Sequence, residues 1–121
     1  MVIFVGMNPS RVSQKRRNST LNTLASWVET LGLSQFEFVN VSNDDGDLVR
    51  REHVEHETLE QRCSKHGSVI ALGSIPSMIL RKKRIEHFKL PHPSPKNRVL
   101  NDKILLNCVL ESCGKYIEEN N

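Results

Sequence analysis

Four short apolar runs punctuate the chain, at 2–5, 36–41, 68–72 and, more weakly, 85–90. Each is too short for a buried helix and carries residues that suit a pleated, half-buried surface, so each predicts a strand. Between them the apolar positions repeat at three and four. Leu21, Leu24, Ala25, Val28 and Leu31 form one stripe, with Asn18, Ser19 and Thr20 as caps ahead of it and Gly32 as its stop. A more polar helix is expected over 51–64. A short third helix follows Gly73, with Ser74 as cap and Pro76 in its first turn. The last is expected over 102–118, turning Leu105, Leu106, Val109, Leu110, Cys113 and Ile117 inward.

Strand followed by helix, repeated along the chain, calls for an α/β fold: a four-stranded parallel sheet between two helix layers, a three-layer αβα arrangement. Right-handed crossovers and short connections favour the strand order 2-1-3-4. No linker or repeat divides the chain, so residues 1–121 read as a single domain. The polar stretch 43–57 is the longest loop. In an open parallel sheet, ligands bind beyond the carboxyl ends of the strands. Residues 6–10, 40–43 and 91–98 emerge at that edge.

Composition adjusts this picture only slightly. With 37% hydrophobic and 5% aromatic residues, the core must be aliphatic. A net charge of +3 suits an anionic partner but falls short of a purely electrostatic nucleic-acid binder. Cys63, Cys108 and Cys113 form no CxxC pair, and the last two sit in the apolar pattern of the final helix. A reduced, intracellular and cytoplasmic setting is expected. No apolar run reaches the length of a membrane span, and the first residues lack a basic leader and a cleavage site.

The stretch LPHPSPKNR at 90–98 holds His92 between Pro91 and Pro93, with Pro95 beyond. Prolines fix φ and remove donors, so this is a stiff loop, neither helix nor central strand. Together with VIFVGMNPS at 2–10 it resembles the two signature motifs of the uracil-DNA glycosylase superfamily. The likeness is to its mismatch-specific and single-strand-selective branches, which have Gly-x-Asn-Pro in the first motif and His-Pro-Ser-Pro in the second. Order, separation and strand-end placement agree, and the likeness spans about 2–110.

The resemblance implies hydrolysis of the bond joining uracil, or a related modified base, to its deoxyribose in DNA, with the target nucleotide turned out of the stack. His92 would stabilise the departing base anion and Asn8 would place the attacking water. The loop Gly6, Met7, Pro9 and Ser10, together with Asn40 after the second strand, would hold the base. Ser94, Lys96, Asn97 and Arg98 would meet DNA, joined by Arg11, Lys15, Arg16 and Arg17 on the same edge. No metal or cofactor is implied, and the chain is expected to work on DNA as a monomer. Its length is closest to minimal, phage-encoded versions.

Some features depart from the family pattern. No aromatic residue lies between Ser10 and Trp27, so the ring that stacks on the flipped base has no clear counterpart; Phe36 and Phe38 are substitutes. Serine at position 10 replaces the bulky tyrosine of the most uracil-restricted branch, which opens the pocket to 5-substituted pyrimidines. A member that binds DNA, a base or a nucleotide without turnover, or that acts on an unusual phage base, is the alternative. Simpler readings stand beside these: an Asx-type turn for Asn8-Pro9, a structural histidine at 92, and loop satisfaction by Asn40. The basic run at 81–84 falls on the opposite edge and suits the end of the third helix. His53 and His56 lack a third ligand at metal spacing.

Overall fold

Val2, Ile3, Phe4 and Val5 are each at most 1% exposed, as expected of a strand covered on both faces. In the computed structural model, which describes residues 2–7, 14–41, 58–93 and 101–120 (side chains for 2–6, 21–41, 58–93 and 101–120), they form the centre of one sheet. Its strands are β1 (Val2–Met7), β2 (Phe36–Val41), β3 (Ser68–Leu72) and β4 (Phe88–Leu90). All pairings are parallel and the order is β2-β1-β3-β4, as the pattern predicts. The helices are α1 (Gln14–Thr30), α2 (Leu59–Ser64), α3 (Ser74–Lys82) and α4 (Lys103–Asn120).

Alternation along the strands sorts the core into two layers. Val2, Phe4, Ile70, Leu72 and Leu90 pack against Leu24, Trp27 and Val28 of α1 and Leu110, Cys113 and Ile117 of α4. On the other face Ile3, Val5, Val39, Val41, Val69 and Ala71 meet Leu59 and Cys63 of α2 and Leu80 of α3. This is the expected three-layer arrangement. The chain runs from β1 outward to β2, then returns past β1 to β3. The connection reverses between β1 and β3, and their carboxyl ends mark the switch point. Among the described residues, no helix is long and apolar enough to cross a membrane.

Several boundaries differ from the pattern's expectation. Helix α1 starts at Gln14, so Asn18, Ser19 and Thr20 lie within it; the Gln, Lys and Arg ahead of them are good helix formers and carry the helix past the cap signal. Gly32 does stop it, at φ +70°. The helix expected over 51–64 begins only at Leu59, because Thr58 is extended and makes a reciprocal capping box with Gln61; 51–57 lie outside the described residues. Gly73, not Ser74, caps α3, at φ +101° and without a side-chain bond. Arg84, at φ +58°, turns the chain after α3, and β4 is confined to 88–90. In α4, Asp102 Oδ1 accepts the Leu105 N–H at 3.0 Å. The buried stripe runs through Leu106, Val109, Leu110, Cys113 and Ile117, which leaves Leu105 46% exposed and Cys108 outside the core.

Candidate functional site

At the carboxyl end of β1, Gly6 pairs with Asn40 and Met7 with Val41. A Cβ on Gly6 would lie 3.1 Å from Asn40 Oδ1 and 3.1 Å from Phe38 Cζ. The missing side chain therefore lets the Asn40 amide and the Phe38 ring lie over the end of β1. Asn40 is half-buried and shares the face of the sheet that carries Phe4 and Phe38. Its amide oxygen therefore lies beside the end of β1.

The histidine loop leaves β4 on the same edge. The Gly73 N–H donates to the Leu90 carbonyl at 2.9 Å, which ties the start of α3 to the end of β4. Two residues on, His92 rests against Gly73: a Cβ there would meet His92 Cβ at 3.2 Å and Cδ2 at 3.4 Å. Pro93 is fully buried and Pro91 half-buried, so both flanks of the histidine are anchored. Burial pushes the half-buried imidazole below its ordinary value of 6.5, which keeps it neutral near pH 7. A neutral imidazole held in place is a hydrogen-bond donor to a developing oxyanion.

Asn40 thus lies over the end of β1 and His92 over the end of β3. These strands are neighbours, about 4.8 Å apart. Met7 closes β1 and immediately precedes Asn8 in the chain. Lys15, Arg16 and Arg17 fall in the first turn of α1, which starts from the same edge. Asn8, Pro9, Ser10, Arg11, Ser94, Lys96, Asn97 and Arg98 lie outside the described residues. Of the substitute rings, Phe36 pairs with Val2 at the far end of the sheet and packs edge-on against Phe4, so it takes no part in this edge. Phe38 reaches Gly6. The Gly73 seat for His92 escaped the sequence reading, because Leu-Gly-Ser after a strand reads as an ordinary turn.

The opposite edge carries different chemistry. Glu37 accepts from Arg62 and from His66 Nε2, the latter at 2.6 Å. Burial alone would raise the Glu37 carboxyl, but the bonds from Arg62 and His66 outweigh it and hold the group below 4.5. A shallow pocket of about 220 Å³ opens beside them, lined in part by Cys63, His66, Glu86 and Tyr116. Burial pushes the Cys63 thiol up to about 11, so it offers no nucleophile at neutral pH. Arg81 and Lys82 sit in the last turn of α3 and Lys83 pairs with Glu60 at 2.7 Å, which accounts for most of the basic run. Among the described residues, no three His, Cys, Asp or Glu side chains gather as metal ligands. No family model, curated protein or solved structure matches the chain.

Proposed function

We propose that this chain is a monofunctional DNA glycosylase that hydrolyses the N-glycosidic bond of uracil or a related modified base in DNA. The observation that carries the reading is the position of His92: anchored between two prolines, kept neutral by burial, and packed against Gly73 at the end of β3, the strand next to the one whose end carries Gly6 and Asn40. The bonding electron pair leaves with the base, and the His92 N–H stabilises the charge that develops on the base carbonyl. Such a preorganised donor lowers the barrier by ~3 kcal/mol. Asn8 orients the water whose oxygen joins C1′ and whose proton ends on the departing base. An amide cannot take that proton as a carboxylate would, so the chemistry relies on an already electrophilic sugar cation. The Asn40 amide offers both a donor and an acceptor to the pairing edge of the base.

Uracil-containing oligonucleotides, single-stranded and mismatched, are the test, with alkali cleavage reporting abasic product. His92→Ala and Asn8→Ala should each lower the rate by at least roughly tenfold. Absence of product on every substrate defeats the reading. Tight, salt-sensitive binding without product would instead select a member that binds without turnover. Thymine, 5-hydroxymethyluracil and hypoxanthine substrates test how far Ser10 opens the pocket.

A further inference from the structure

We propose that Gly73 is a positioning residue for His92: its bare α-carbon is the seat against which the imidazole is held. The proposal rests on the glycosylase reading for its catalytic consequence, but not for its structural content. Two properties of Gly73 coincide. Its backbone, at φ +101° and ψ −179°, lies in a region that is essentially glycine's alone. Its open side faces the catalytic candidate: a methyl placed on it would lie 3.2 Å from His92 Cβ, 3.4 Å from Cδ2 and 3.6 Å from Cγ.

The ring has little room to yield. The His92 atom closest to the added methyl is Cβ, fixed to a backbone that Pro91 and the buried Pro93 constrain on either side. The Gly73 N–H, bonded to the Leu90 carbonyl, holds the seat itself in register with the loop. A methyl at position 73 therefore displaces the imidazole outward as a unit with its loop. Gly6 is the same device at the end of β1, where the absent side chain makes room for Asn40.

The test compares Gly73→Ala with Gly32→Ala. Gly32 also has a positive φ, +70°, yet a Cβ there meets nothing within 4 Å, so it reports backbone strain without a displaced neighbour. In Gly73→Ala the His92 ring-proton NMR resonances, recorded at one fixed pH without DNA, should move. On a uracil oligonucleotide kcat should fall by roughly tenfold to a hundredfold, the scale of an ångström's misplacement, with KM within about twofold. Gly32→Ala should change neither. Unmoved His92 resonances and an unchanged kcat in a folded Gly73→Ala protein overturn the proposal. If Gly73→Ala does not fold, the native protein decides: nuclear Overhauser contacts between the Gly73 α-protons and the His92 β- and δ2-protons support the seat, and their absence from the assigned spectrum overturns it. Should the native chain release no base from any substrate, the glycosylase reading falls while the resonance shift still decides the role of Gly73.

Discussion

Burial holds the His92 imidazole below 6.5, so the folded chain resists a proton that the unfolded chain accepts. As pH falls below the ordinary histidine value, the unfolded state binds more protons. The stability tied to His92 is therefore full above 6.5 and declines toward the depressed folded value. Urea midpoints taken from about pH 8 to about pH 5 should show this decline, and His92→Ala should flatten it. Gly6→Ala brings a methyl within 3.1 Å of both Asn40 Oδ1 and Phe38 Cζ. It should destabilise the fold by about 1–2 kcal/mol in urea unfolding, the usual range for overpacking. The edge positions of His92 and Asn40 were legible in the sequence, because a polar residue at or just past the carboxyl end of a parallel strand must fall on that edge of the sheet. The seats that Gly6 and Gly73 provide were not: each depends on a contact between distant parts of the chain.

Between elements, Glu37 joins β2 to Arg62 of α2 and to His66 just ahead of β3. Its carboxyl is held below 4.5, so its contribution is present above that value and is lost as pH falls through the lowered one. Glu37→Gln should cost about 1 kcal/mol at neutral pH and reduce the acid dependence below 4.5, both read from urea curves. Thr58→Ala breaks the capping box of a helix only six residues long, with an expected loss of about 1 kcal/mol. That box was readable as Thr-x-x-Gln ahead of Leu59, yet the general polar-helix pattern of 51–64 drew the start too early. Helix α1 erred the other way, since a cap signal inside a run of helix formers does not bind the chain to stop there.

Across the whole molecule the three cysteines report the two-layer core. Cys63 and Cys113 are buried, their thiols raised to about 11 and about 12, and Cys108 faces outward. A thiol reagent at neutral pH should label Cys108 quickly in the folded protein and the other two only on unfolding; fast labelling of all three would contradict the packing described. The strands, their parallel order and the two helix layers followed from the sequence alone, because alternation, run length and crossover handedness are properties of local chemistry and chain connectivity. The sequence also placed Asn40 and His92 at the carboxyl edge of the sheet. Only the tertiary structure decided how those residues are held: that Asn40 crosses onto β1, that His92 leans on Gly73, and that burial keeps its ring neutral. Those facts depend on distances between segments far apart in the chain, and no local pattern encodes a distance.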